Sequence, residues 1–214
     1  ELPAWESISE KIYTELTLGA EPALLTIWPE TAVDETYRSG NEFALRLKAL
    51  SQNRGGLLIG SRRADDGATL YNSAILLSDG SVNMVDKKRL ALGAETHFAI
   101  GESSGILDFR DYKLGVVFCL ESVLPKYASD LVEKNAADLL VVLADGSRFG
   151  NTLVGKMHAQ RSTLRAVEAG RSLMHVGQHG LTHVVSAEGI RSKQLSEFVG
   201  EVLNYEVKVY KGIT

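Results

Sequence analysis

The 214 residues carry a formal charge of -4, with 44% hydrophobic and 23% charged positions, the make-up of an ordinary globular domain with one good core. That balance supplies no basic stripe to follow a phosphate backbone, which argues against a nucleic-acid partner. The single cysteine, Cys119, cannot close an internal disulfide and leaves the redox compartment open.

No stretch approaches the roughly 18 to 20 apolar residues of a membrane span, and the opening ELPAWESISEK is too polar for a signal peptide. In chain order, SISEKIYTELTL spaces Ile8, Ile12, Tyr13 and Leu16 as a helix capped by Ser7 or Ser9, and ALLTIWPE is a short strand stopped by proline. NEFALRLKALSQNRG repeats the helix with Phe43, Leu45, Leu47 and Leu50, and GLLIGSRR the strand. TLYNSAILLSDGSVNMVDKK reads as a hairpin turning at Asp79-Gly80, a pair suited to positive φ.

GILDFRDYKLGVVFCLES is a second strand pair, and VLPKYASDLVEKNAADLLVVLAD a helix and a buried strand. The helix GKMHAQRSTLRAVEAGR is expected to turn Leu164, Ala166 and Val167 inward and to end at Gly170, before the strands SLMHVGQ and LTHVVSAEG. EVLNYEVKVY closes as an edge strand. Without repeats, low-complexity tracts or linkers, residues 1–214 form a single α/β domain. The start, with no strand before the first helix, is that expected of a truncated chain.

Glu30, Lys87 and Cys119 fall at the ends of three predicted strands, where α/β domains place chemistry. A carboxylate can take the thiol proton, a lysine can hold an oxyanion, and the sulfur can attack a carbonyl or nitrile carbon. The predicted chemistry is acyl transfer or amide hydrolysis. Each residue alone has a bland reading: Glu30 as a cap after Pro29, Lys87 within a solvated KKR run, Cys119 as core.

Four stretches in register, LLTIWPETAV, YNSAILLSDGSVNMVDKKRL, GVVFCLES and HAQRSTLRAVEAGR, resemble the W-P-E, Y-N-S with D-K, G-x-x-x-C-x-E and R-x-x-E-x-G-R elements of the carbon-nitrogen hydrolase (nitrilase) superfamily. Several independent motifs are more specific than any one. Within it, the helix and turn running from HAQRSTLRAVEAGR to VVSAEG, a glutamate eight residues after Lys87, and the closing VKVYKGIT are similar to the apolipoprotein N-acyltransferase branch. The resemblance implies an αββα sandwich lacking its first strand, a fragment of a longer membrane-anchored chain.

It further implies Glu30 as general base, Lys87 (rather than Lys88) as oxyanion residue, Cys119 as acylated nucleophile, and Glu95 and Glu121 as supporting carboxylates that hold Lys87 and shape the proton route. The lysine beside the sulfur is expected to lower the thiol pKa. No cofactor is implied. The donor would be a phospholipid and the acceptor the N-terminal cysteine amine of a lipoprotein, at a bacterial inner membrane with the domain facing the periplasm. A cytoplasmic amidase that uses water, and a non-catalytic scaffold, are the alternatives.

The chain departs from that branch at Leu120, Leu92-Gly93 and Arg148, positions that shape the branch's acyl pocket, while the loops GSRFGNTLVG and RLALGAETHF have the apolar content of a lid. Of the histidines His97, His158, His175, His179 and His183, the last two are four apart. On a strand that spacing separates them by about 13 Å, too far for a shared ion. His158 is expected to cap or pack, and Arg161, Arg165, Glu168 and Arg171 to be structural.

Overall fold

The computed structural model describes residues 7–124, 126–150, 152–196 and 199–211, the side chain of Arg148 excepted. The elements are α1 (Ile8–Gly19), β1 (Leu25–Trp28), β2 (Thr36–Tyr37), α2 (Glu42–Arg54), β3 (Gly56–Ala64), β4 (Leu70–Ser78), β5 (Ser81–Asp86), β6 (Ile106–Phe109), β7 (Tyr112–Phe118), α3 (Tyr127–Glu133), β8 (Leu139–Asp145), α4 (Leu153–Ala169), β9 (Leu173–Gln178), β10 (His183–Val185) and β11 (Arg191–Gln194). One sheet runs β1-β3-β4-β5 with β2 beside β3; the other runs β11-β10-β9-β8-β7-β6.

Three apolar clusters make these sheets an αββα sandwich. Between the sheets lie Leu58, Leu76 and Val85 from one side and Val116, Phe118, Val141 and Leu143 from the other. Outside the first sheet, Phe43, Leu47 and Leu50 of α2 cover Leu57, Ile59, Ile75 and Leu77. Outside the second, α3 and α4 cover Val117, Leu140, Val142 and Leu173. β8 shows why its sequence is apolar from Leu139 to Ala144: successive side chains point to opposite faces, and both faces are covered.

Local chemistry sets the ends. Ser7 caps α1 by accepting the Glu10 N–H at 3.2 Å, and Asn41 caps α2 through Ala44 N–H at 2.9 Å. Asp79 and Gly80 both take positive φ, 49° and 80°, which closes the β4-β5 hairpin as its sequence predicts. Gly170 ends α4 at φ 60°.

Two helix faces differ from their sequence reading. In α4 only Ala166 of the three expected core residues turns inward; Leu164 and Val167 are 56% and 50% exposed. Ala159, Ser162, Ala166 and Ala169 form the buried stripe instead, because small side chains let the helix lie close to the sheet. In α1 the buried positions are Glu10, Thr14 and Thr17; Thr17 receives the Trp28 indole N–H at 2.9 Å, and Glu10 accepts two bonds from Arg46, at 2.6 and 2.9 Å.

Both members of that ion pair are under 5% exposed, so Arg46→Ala would strand a buried carboxylate. A loss of about 3–5 kcal/mol in urea unfolding is expected; a loss below about 1 kcal/mol would contradict it.

The expected edge strand EVLNYEVKVY is also corrected. Residues 201–211 form no strand, although Val207 and Val209 lean on the core between the sheets. Alternating side chains make a strand only where the backbone finds a ladder. Among the described residues β1 pairs only with β3, and a cavity of about 510 Å³ lies beside it, bounded by Ile12, Tyr13, Leu16, Ile27, Val202 and Val207. The closing G-x-T element, residues 212–214, lies outside the described residues.

Candidate active site

The ends of β1, β5 and β7 bring Glu30, Lys87 and Cys119 to one cavity. Glu30 follows Trp28 and Pro29, where the chain crosses the first sheet closely at Gly60: a Cβ on Gly60 would collide with Pro29 O and Glu30 Cα. Ala32 N–H to Gly60 O at 2.9 Å and Gly60 N–H to Pro29 O at 3.1 Å fix this crossing. Lys87 lies two residues beyond Val85 on its strand's inward alternation, and both are 2% exposed. Lys88 lies on the opposite alternation.

The Lys87 ammonium sits 2.8 Å from Glu30 Oε1 and 3.0 Å from Glu95. Asn72 Nδ2 donates at 2.8 Å to each of the same carboxylates. Glu30 Oε2 accepts the Asp145 N–H at 3.1 Å, and Glu95 Oε2 the Ala91 N–H at 2.7 Å. Burial alone would push the Lys87 ammonium down, but the two carboxylates outweigh it and hold the lysine above its ordinary range. For Glu95 burial acts upward, and the Ala91 N–H, the Lys87 charge and Asn72 together hold it below its ordinary range.

Cys119 opens a 3-10 turn, Cys119–Val123, at φ 26°, left-handed territory for a residue with a Cβ. Its Sγ lies 3.9 Å from Asp145 O, beside Glu30. The thiol pKa is pushed up to about 12, first by burial and then by the Glu30 charge; Lys87 pulls it down by less. Lys87 does act downward as expected, but burial and the Glu30 charge outweigh it, so the thiol is not activated by the lysine at rest.

Glu121 is placed differently from its expected role. Its Oε1 accepts the N–H groups of Lys88 and Arg89 at 2.9 and 3.0 Å, and its Oε2 that of Phe118 at 2.9 Å. It clasps the lysine loop to the cysteine turn by main-chain bonds. Burial pushes it up, against the pull of those donors.

The cavity measures about 700 Å³; above the polar floor its lining includes Phe98, Leu120, Val123, Phe149, Val154 and Met157. Leu120 therefore lines it, whereas Leu92 is fully exposed outside it; the side chain of Arg148 lies outside the described residues. Arg161 lines the cavity. Arg165 and Arg171 are buried, donating to Leu124 O at 2.9 Å and Ala137 O at 3.1 Å. His158 lies in the second turn of α4 rather than at its cap, with Nε2 2.8 Å from Cys119 O.

Asn72 is the residue of the floor that sequence reading missed. It lies mid-strand in the Y-N-S stretch, and the usable signal was a carboxamide on a strand otherwise apolar and small.

A family model described as carbon-nitrogen hydrolase matches residues 3–210. The apolipoprotein N-acyltransferase of Azotobacter vinelandii is 27% identical over 229 residues, covering 95% of this chain and 44% of that protein. That of Geobacter metallireducens is 25% identical over 98% of this chain and 45% of its own length. The chain thus spans less than half the length of these relatives. The carbon-nitrogen hydrolase of Helicobacter pylori G27 superposes with a TM-score of 0.70 at 16% identity, over 89% of this chain and 78% of that one. A mutant amidase from Nesterenkonia sp. AN1, with the acetamide moiety of fluoroacetamide on its active-site cysteine, gives 0.69 at 18%, over 88% and 78%.

Proposed function

Because the chain belongs to the carbon-nitrogen hydrolase family, we propose that it carries out acyl transfer through a thioester on Cys119, with Glu30 as general base and Lys87 as the cation that holds the oxyanion. The observation that carries this reading is the buried Glu30–Lys87–Glu95 array beside a cysteine at the floor of a largely apolar cavity. With its pKa at about 12, the thiol keeps its proton at neutral pH, so attack requires a base in contact with sulfur.

Glu30 takes the Sγ proton as sulfur adds to an ester carbonyl; Lys87 and main-chain donors balance the oxyanion. Collapse breaks the ester C–O bond, and the departing alkoxide takes the proton from Glu30. An amine then adds to the thioester, losing a proton to Glu30, and collapse expels the sulfur, which recovers that proton. The products are an amide and the free thiol.

The likeness to the two N-acyltransferases supports a phospholipid donor and a lipoprotein N-terminal cysteine as acceptor. The apolar lining suits a fatty acyl chain. On this reading the domain works on the periplasmic side of a bacterial inner membrane. No helix among the described residues is long and apolar enough to cross a membrane.

The test is intact mass after incubation with a phospholipid or a short-chain thioester. An acyl adduct on wild type and none on Cys119→Ala is expected, cleared faster by a diacylglyceryl-cysteine peptide amine than by water. Faster clearance by water, with turnover of simple amides, would replace transfer by amidase activity. No adduct with ester or amide donors would leave a scaffold.

A further inference from the structure

The nucleophile's backbone conformation needs an explanation. Cys119 sits at φ 26°, and a residue with a side chain persists there only when its surroundings hold it. The Phe118 N–H on one side is taken by Glu121 at 2.9 Å. On the other side the Cys119 carbonyl accepts two bonds, from Ser122 Oγ at 2.8 Å and from His158 Nε2 at 2.8 Å. Ser122 belongs to the same short turn; His158 reaches in from α4, and so ties the turn to a different element.

We infer that His158 is a positioning residue for Cys119: its imidazole N–H holds the nucleophile's carbonyl, and thereby keeps the thiol aimed at Glu30. This rests on the acyl-enzyme reading above.

The carbonyl can only accept, which assigns the imidazole proton to Nε2. Ser122 Oγ, 3.0 Å from the same nitrogen, donates its own proton to the carbonyl. Because a peptide is planar, fixing the Cys119 carbonyl also fixes the direction of the Leu120 N–H at the cavity wall.

The His158 ring is itself braced. His175 of β9 meets it edge-on at 5.4 Å between centroids, and His183 of β10 stacks on His175 at 5.1 Å. His175 and His183 are register partners across the two strands, and Ser162 Oγ holds His175 Nδ1 at 2.6 Å. Burial favours the neutral form of all three. The charged groups acting on the array are Glu30, Lys87 and Arg161 at His158, and Arg191 at His175 and His183. The three rings therefore brace the cysteine turn against the second sheet.

The experiment compares wild type with His158→Leu, which removes the donor, and His158→Gln, whose amide nitrogen can take the place of Nε2. Acylation by a short-chain thioester is timed by intact mass. Iodoacetamide alkylation of Cys119 is followed against pH, with Cys119→Ala as blank and thermal melts as a folding check.

His158→Leu should acylate about 100-fold more slowly, the effect of a misplacement near 1 Å, with glutamine recovering most of the loss. In wild type the alkylation rate should climb toward the raised thiol pKa of about 12. In His158→Leu it should level off nearer the ordinary thiol value of about 8.5.

A folded His158→Leu protein with wild-type acylation and profile would overturn the inference. If that variant does not fold, His158→Asn, whose side chain is too short to reach, replaces it: asparagine slow and glutamine active supports the inference, both alike overturns it. If wild type takes no acyl group, the acyl-enzyme reading fails, while the alkylation profiles still decide whether His158 positions the thiol.

Discussion

Glu30→Gln should lower the rate of Cys119 acylation by about 1,000-fold or more, near the upper range of general-base effects. The thiol pKa of about 12 leaves roughly one thiolate in 10⁵ molecules at pH 7, so little reaction can proceed without a base in contact. The substitution is nearly isosteric, but every neighbour of the carboxylate is a donor: Lys87 and Asn72 at Oε1, the Asp145 N–H at Oε2. The new amide group must turn its N–H bonds toward one of them, at a cost of about 1–3 kcal/mol. Single-turnover acylation and a thermal melt separate the two effects; a variant keeping a tenth of the wild-type rate would remove Glu30 from the role of base.

Lys87→Met should abolish acylation and destabilise the fold together. The lysine is the cation shared by Glu30 and Glu95, and Asn72 bonds to both. Without it two carboxylates at the cavity floor face each other with only a neutral amide between them. Breaking a buried pair in this way costs about 3–5 kcal/mol, readable as a lower midpoint in urea at unchanged slope. A variant less than about 1 kcal/mol down and still acylated would show that the cation neither holds the floor nor serves the oxyanion.

That Glu30, Lys87 and Cys119 would meet at one cavity was legible because each closely follows a strand, at IWPE, VDKK and VFCLE. The layers were legible for a related reason: runs such as DLLVVLA are long enough to need cover on both faces. What stayed hidden depends on partners distant in sequence. Nothing in the spacing of His158, His175 and His183 says that α4, β9 and β10 will stack their rings. Glu121 lies two residues from Cys119, which suggests chemistry, yet one of its oxygens is taken by two main-chain N–H groups more than 30 residues away. Asn72 is equally non-local, meeting Glu30 at a separation of 42.

The misreadings have similar causes. Leu164 and Val167 are apolar but lie on the outer side of α4, where alanines have taken the inner one. Residues 201–210 have a strand's alternation without a ladder to join. The thiol expectation followed the nearest cation and left out burial and the Glu30 charge, which together outweigh it.

The carboxylate of Glu121 ties the lysine loop to the cysteine turn through three main-chain N–H groups. On the acyl-transfer reading, substrate preference is expected to vary with the walls above it, at Leu120, Phe149, Val154 and Met157. If that reading holds, a designer seeking a different acyl length would vary those four positions as a library and keep Glu30, Lys87 and Cys119 fixed.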